Sequence, residues 1–308
     1  MQTNRIVITG ADGFVGSEVA KLYLSKDFEV LALDVSIKPN RLPSHHLLRY
    51  ECINLFTESN RLKKLLEDFR PNSFIHFAWD GSAGEKRCDY SLQLKNAELN
   101  VKCLEMAASA GCSRFVGAGS IMEYEVEAAM HANGLRPGLG YIYGMGKHIA
   151  HAMSKSVAAK LGIDFLWPMI TNAYGVGELS PRFINATLRK IINHENLEFT
   201  SGTQNYDFVY VTDVAKAFFL VEQRGKDFNE YMIGSGKAAP LREFIVEMIS
   251  ACDPHAIPHF GDVPFTGINL PKSTFDITNL VEDCGFKPEI SFREGIMKTY
   301  EWLKRIEA

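Results

Sequence analysis

No stretch of the 308 residues approaches the roughly 18 consecutive apolar residues of a membrane span, so no membrane partner is expected. Nor does a long apolar region with small residues after it follow Met1. Met1-Gln2-Thr3-Asn4-Arg5 runs straight into Ile6-Val7-Ile8, and no secretory signal is expected. Cysteine is sparse: the six residues, at 52, 88, 103, 112, 252 and 284, contain no C-x-x-C pair. That excludes a dense disulfide framework and implies reduced thiols in a cytoplasmic protein. Basic charge is neither in excess nor clustered, with 33 Lys and Arg against 37 Asp and Glu, so no nucleic-acid partner is expected. His148/His151 and His255/His259 have helical spacing but no third ligand arranged with them, so no metal is expected. Internal repeats and low-complexity segments are absent.

Hydrophobic residues make up 46% of the chain and charged residues 23%, ordinary proportions for a protein with a well-filled core. Short apolar runs alternate with helical stretches. Strands are predicted at Arg5–Thr9, Glu29–Leu33, Phe74–Phe77, Arg114–Ala118 and Asp164–Trp167. Helices are predicted at Phe14–Ser25, Asn60–Phe69, about Asp89–Ala110 and Tyr143–Leu161. Repeated β-α units of this size imply an α/β fold, a doubly wound parallel sheet with helices on both faces. The pattern loosens after about residue 175. Helices recur near 182–193, 213–224, 241–251 and 292–306, separated by Gly/Pro-rich turns. The expectation is a dinucleotide-binding domain over 1–175, to which later segments return, and a small C-terminal substrate-binding lobe over 176–308.

Gly10-Ala11-Asp12-Gly13-Phe14-Val15-Gly16 follows a strand and opens a helix. Gly10 permits the tight turn, Gly13 lets backbone approach a diphosphate, and Gly16 lets helix and strand pack closely. The helix N-terminus, from Phe14 and Val15 on, offers free N–H groups to phosphates. Asp34 ends the next strand, where a carboxylate accepts the ribose hydroxyls of NAD and repels the 2′-phosphate of NADP. Lys38, close by in sequence, leaves NADP open.

Tyr143-Gly144-Met145-Gly146-Lys147 is a Y-x-x-x-K match, and Tyr300 to Lys304 is a second. Position arbitrates: Tyr143 opens a long helix just after the strand ending near Ala118, whereas Tyr300 lies far down the chain beside Trp302. Residues four apart share a helix face. A phenol titrates near 10, and a neighbouring lysine ammonium would favour the phenolate, so Tyr143 could exchange a proton while a cofactor moves a hydride. Ser120, at the end of the preceding strand, could hold the substrate oxygen beside Tyr143.

Together these residues resemble the extended short-chain dehydrogenase/reductases, the nucleotide-sugar epimerases, dehydratases and 4-ketoreductases, whose dinucleotide domain is a Rossmann fold. Pro71-Asn72-Ser73-Phe74-Ile75-His76-Phe77-Ala78 resembles the family's P-D-x-V-I-H-L-A. The resemblance implies that Phe77, Ala78 and the following Trp79 line the cofactor. It implies that Asn54 and Leu55 hold the adenine and that Asn96 opens an N-V-x-G-T helix segment near the cofactor. Asn172-Ala173-Tyr174-Gly175 is similar to N-V-Y-G, so Asn172 is a candidate for the substrate diphosphate. Residues 204–215 resemble Q-x-R-D-F-V-Y-V-D-D-V-A.

The departures carry information too. Dehydratases of the family carry an Asp-Glu pair directly after the Ser/Thr. Here the pair is Ile121 and Met122, neither of which can transfer a proton, so 4,6-dehydration is not expected. Met169 and Tyr206 stand where the family has arginines, the second of which grips the diphosphate. Arg182 and Arg189 are candidates to replace them. Gly119 replaces a family serine and adds room. Ser120, Met122, Asn172, Arg182 and Tyr206 are thus the candidate substrate residues. The resemblance implies NAD as cofactor, a nucleotide-sugar substrate and a homodimer built on the helices near 89–110 and 143–161. The preferred activity is 4-keto reduction, with C4 epimerisation and a non-catalytic NAD(H) sensor as rivals.

Overall fold

The structure, a computed structural model, describes residues 4–307. Seven strands lie side by side in one sheet, in the order Glu230–Ile233, Asp164–Ile170, Arg114–Gly117, Ser73–His76, Arg5–Thr9, Glu29–Asp34 and Leu48–Cys52. Every pairing is parallel. An eighth, two-residue strand, Gly119–Ser120, pairs with the end of Asp164–Ile170. The inner strands are buried on both faces, which is why Ile6-Val7-Ile8 and Phe74-Ile75 read as unbroken apolar runs rather than alternating ones. Leu48–Cys52 was not anticipated. It is the edge strand, half-exposed and mixed in composition, so it lacks that signature. The segment Met122–His131 is helical and was also not anticipated.

Two helical layers cover the sheet. Phe14–Leu24 packs against Val211–Arg224 on one face, burying Val19, Ala20 and Tyr23 completely. Tyr90–Ser109 packs against Tyr141–Leu161 on the other. There Ala97, Ala107, Ala150 and Ala158 allow a close approach. Buried Asn100 reaches across to donate to Ser154 Oγ at 2.7 Å. Asp89 caps the first of these helices by accepting from Leu92 N.

A further apolar cluster gathers the helices Phe183–Ile192, Leu241–Cys252 and Phe292–Glu307. Phe208, Phe244 and Phe292 interlock at its centre with ring centroids 4.9–5.6 Å apart. Each such aromatic pair adds about 0.5–1.5 kcal/mol beyond area burial. Tyr231-Met232-Ile233, far along the chain, supplies the last strand of the main sheet. Among the described residues no helix is long and apolar enough to cross a membrane.

Strand order reverses between Arg5–Thr9 and Ser73–His76. The chain leaves the first of these toward Glu29–Asp34 and returns on its other side. Connections diverge at such a point, leaving a crevice beyond the carboxyl ends of the strands, which is where open α/β sheets bind ligands.

Candidate active site

A cavity of about 750 Å³ occupies that crevice. Its floor is the glycine loop. Gly10 has φ 64°, and a Cβ there would lie 2.8 Å from Ala78 N. A Cβ on Gly16 would fall 2.2 Å from Gly10 O, so helix and strand meet at a distance only glycine permits. No side chain caps the helix Phe14–Leu24, and its first turn lines the cavity. Free backbone N–H groups and the positive end of the helix dipole therefore border the space.

Asp34 lines the same cavity. Its carboxylate is held by backbone: Oδ1 accepts from Val35 N at 2.7 Å and Oδ2 from Asp12 N at 2.9 Å. The Asp12 carboxylate in turn accepts from the N–H groups of Asn40 and Arg41. That turn brings Arg41, rather than Lys38, to the cavity wall. Asn54, Leu55, Phe77, Ala78, Trp79 and Asn96 also line it. The Asn96 side chain is buried and clamps the Asp80 backbone, accepting from its N–H at 3.1 Å and donating to its carbonyl at 2.8 Å. It thereby fixes the turn carrying Trp79.

Ser120, Tyr143 and Lys147 meet at the far end of the cavity. The Ser120 hydroxyl accepts from Met122 N at 3.3 Å and lies near enough to the Tyr143 phenol to influence it. Tyr143 is buried, and its ring meets Trp79 edge to face at 6.1 Å. Burial raises its pKa above the ordinary phenol value, against the opposing pull of Arg182, Arg87 and Ser120. Lys147 is not among the groups that shift the phenol. The Lys147 ammonium instead donates to Ala118 O at 2.7 Å and lies 3.8 Å over the Trp79 ring. Burial pushes its own pKa down to about 7, a shift that Glu123 partly opposes. The same burial, with Lys147 nearby, lowers His76 to about 3; its Nδ1 pairs with Thr9 Oγ1 at 2.9 Å.

Of the substrate candidates, Ser120 and Arg182 line the cavity, whereas Met122, Asn172 and Tyr206 do not. Met122 opens a helix. Asn172 Nδ2 donates to Asp207 O at 3.0 Å, within the pairing of Asn172–Tyr174 with Phe208–Tyr210. The Tyr206 phenol is pushed up to about 12, by burial first and then by Glu125. Arg189 pairs with Glu307 and is not among the residues that line the cavity. Gly119 does more than add room. A Cβ there would lie 2.5 Å from Trp167 Nε1, so the space is filled by that buried indole. Met169 lies in the same strand as Trp167 and is buried, facing Gly119.

Several residues near the site were not singled out from the sequence. Glu123 is 2% exposed and accepts from Ser120 N at 2.9 Å, Trp167 Nε1 at 3.1 Å and His151 Nδ1 at 3.1 Å. Glu125 is pushed up to about 7 by burial, with Arg87 pulling the other way. Both carboxylates stood in plain view just after Ser120, in Glu123-Tyr124-Glu125. Arg87, whose guanidinium covers the Tyr143 ring at 4.3 Å, carried no local signal.

The profile of the NAD dependent epimerase/dehydratase family matches residues 6–234, most of the chain. The chain belongs to that family. Among curated relatives of this family member is a dTDP-4-dehydro-6-deoxyglucose reductase from Escherichia coli, 24% identical over 319 residues and 98% of each chain. A CDP-abequose synthase from Salmonella muenchen is 22% identical over 299 residues, covering 96% of each. Solved structures of this family share the fold. A UDP-N-acetylglucosamine 4-epimerase from Methanobrevibacter ruminantium M1 superimposes with a TM-score of 0.81 at 20% identity, over 99% of this chain and 100% of the other. A UDP-glucuronic acid 4-epimerase from Bacillus cereus, in complex with UDP-glucuronic acid and NAD, gives 0.80 at 19% identity over 98% and 99%.

Proposed function

We propose that this member of an NAD-dependent family reduces the 4-keto group of a nucleotide-linked deoxysugar. One observation carries the reading: Ser120, Tyr143 and Lys147 converge on the cavity that also holds the glycine loop and Asp34. The glycine cradle, the uncapped helix and the carboxylate at the strand end fit a dinucleotide. Gly10, Gly13 and Gly16 with the first turn of the helix would hold the diphosphate, Asp34 the adenosine ribose, and Trp79 and Lys147 the nicotinamide end. NADH, when bound, supplies the hydride. Ser120 Oγ holds the ketone oxygen, and Tyr143 Oη gives it a proton. Burial favours the neutral phenol, the form that can give that proton. Residues 121 and 122 support the reading. Buried Ile121, and Met122 outside the cavity, leave no acid–base pair next to Ser120 for dehydration.

The test is incubation with a panel of nucleoside-diphosphate 4-keto sugars and NADH, followed at the NADH absorbance. Stoichiometric loss of NADH supports the reductase. C4 inversion of a nucleotide sugar by protein purified with NAD in place, without net loss of NADH, would establish the epimerase instead. Silence with every carbonyl and sugar nucleotide would favour a sensor. We also infer a homodimer, because Tyr90, Leu94, Met153 and Leu161 on the two long helices are exposed. Light scattering at micromolar concentration should give twice 34.5 kDa; a monomer mass would refute it.

A further inference from the structure

Lys147 is a buried cation with no carboxylate in contact. It is 5% exposed, and among the described residues none of the acidic groups lies within ion-pair distance; Glu123 acts on it only through space. An aromatic face covers it instead. Nζ lies 3.8 Å from the centroid of the Trp79 ring, and its other contact is the bond to Ala118 O at 2.7 Å. A buried ammonium is costly unless nearby groups replace its water. The face of an indole carries the negative part of the ring quadrupole and attracts a cation.

The indole is itself fixed from several sides. Its Nε1 donates to Gln93 Oε1 at 2.7 Å. Gln93 is 1% exposed, and its Nε2 donates to Gly81 O and Lys86 O, both at 3.1 Å. Turning that amide over would break all three bonds, so its orientation is set. The Tyr143 ring meets the indole edge to face at 6.1 Å. On the helix Tyr141–Leu161, Gly146 leaves it room: a Cβ there would lie 3.0 Å from Gln93 Cβ and 3.4 Å from Trp79 Cζ2. Trp79 thus touches both Tyr143 and Lys147 while lining the cavity.

We propose that Trp79 is a positioning residue whose indole face holds the Lys147 ammonium, keeping it charged and aimed at the nicotinamide end without a carboxylate. The proposal rests on the reading of the cleft as an NAD site and names what sets the charge of its lysine. A carboxylate would cancel that charge, whereas an aromatic face stabilises the cation and leaves its charge available to the cofactor. Three other titratable groups bear on Lys147. Glu123, from the helix Met122–His131, partly opposes the fall of its pKa. His76, from the strand Ser73–His76, is lowered by burial to about 3, and Tyr143, on the same helix, is raised above the ordinary phenol value. His76 and Tyr143 therefore keep one charge state across neutral pH.

The titration of Lys147, followed by the carbon-13 shift of the labelled lysine Cε in the whole chain, tests the contact. Lys147→Met identifies the signal, which should titrate at about 7 in the unmodified protein. Trp79→Leu and Trp79→Met fill space but carry no ring. Either should move the midpoint down by about one pH unit, the size of a desolvated cation–π contact. Trp79→Phe, with a weaker ring, should fall between. An unchanged midpoint would show that the ring does nothing for the charge, and a raised one that the indole only excludes water; both overturn the proposal. Whichever apolar variant folds carries the test, and Trp79→Phe carries it, with the same signs, if neither does. Calorimetry with NAD then asks whether the charge serves the cofactor. The deficit of Trp79→Leu should grow by up to about tenfold from about pH 5.5 to about pH 8, because one pH unit of midpoint is a factor of ten in the charged fraction. An equal deficit at both pH values would make Trp79 a mere wall of the cleft and end the positioning role. If the midpoint falls but neither protein binds NAD, the contact between indole and lysine stands and the placement of the cofactor falls.

Discussion

Replacing Lys147 by methionine should change how stability depends on pH, and the size of the change follows from burial. Lys147 is 5% exposed, and its pKa in the folded protein falls from 10.5 to about 7, mainly by desolvation. In the unfolded chain the ammonium regains its ordinary value. Between the two values the unfolded chain holds a proton that the folded protein has released. Stability therefore rises with pH across that window, by about 1.36 kcal/mol per pH unit for one group. Below about pH 7 both states hold the proton, and the cost of burying the charge is whole and constant. From pH 7 to 9, this lysine alone should add up to about 2.7 kcal/mol. Methionine removes the titration and keeps most of the volume. It also loses the bond to Ala118 O, an offset that a neutral amine shares and that does not vary with pH. Urea unfolding of cofactor-free protein, wild type and Lys147→Met, at pH 7 and 9 measures the effect. Taking the difference between the two proteins cancels other titrating groups, such as Glu125 near 7 and Asp207 near 6. The variant's stability relative to wild type should fall by about 2–3 kcal/mol on going from pH 7 to 9. A difference that stays constant would refute the claim that Lys147 is a buried, charge-disfavoured ammonium.

Tyr143→Phe should bind NAD like wild type and lose about 10²–10⁴ in turnover of the true substrate, the usual cost of a positioned proton donor. Tyr300→Phe, at the second Y-x-x-x-K match in the helix Phe292–Glu307, should leave turnover unchanged; the reverse pattern would move the site. NAD(H) should bind more tightly than NADP(H), because a 2′-phosphate would face an Asp34 carboxylate already fixed by three backbone N–H groups. Asp34→Ser should narrow the gap in a calorimetric titration of both, and a wild-type preference for NADP(H) would overturn the role of Asp34.

The glycine-loop side of the cleft was legible because its physics is local. A turn needing positive φ, a helix start without a side-chain cap and a strand-end carboxylate all lie close together in sequence. Strands buried on both faces announced themselves as apolar runs, while the mixed edge strand Leu48–Cys52 did not. The substrate side depends on contacts between distant segments. Helical spacing put Tyr143 and Lys147 on one face, but only the packing shows the ammonium turned to Ala118 O and Trp79. Sequence spacing has no term for desolvation, so it could not show that burial opposes ionisation of both groups. Arg87 reaches Tyr143 from a loop after another strand, and no periodicity encodes that. Asn96 was named through the resemblance, but its clamp on Asp80 appears only in three dimensions.

The carboxylate of Glu123 shows how such a distant network can be probed. It is buried, and it accepts N–H bonds from Ser120, from Trp167 and from His151, whose ring stacks on Trp167 at 4.7 Å. Because the carboxylate only accepts, His151 Nδ1 must carry the proton in that bond. The second ring nitrogen lies 3.4 Å from Glu230 Oε1, an ion-pair distance without hydrogen-bond geometry. Glu123→Leu would strand three donors, and each unsatisfied buried group costs about 1–3 kcal/mol. His151→Leu would remove one of those donors and leave the carboxylate two partners. In the double variant, the loss of His151 removes a donor that Glu123→Leu alone would strand. The two substitutions should therefore be less than additive, with a coupling of about 0.5–3 kcal/mol in a double-mutant cycle from urea unfolding. The network also fixes Ser120 through its backbone N–H. Glu123→Leu should thus lower kcat more than it weakens NAD binding, and Glu123→Gln, which keeps one acceptor oxygen, should recover part of kcat. Strict additivity of the two leucine substitutions would show that the contacts are incidental. An unaltered kcat in Glu123→Leu would show that Ser120 is positioned by something else.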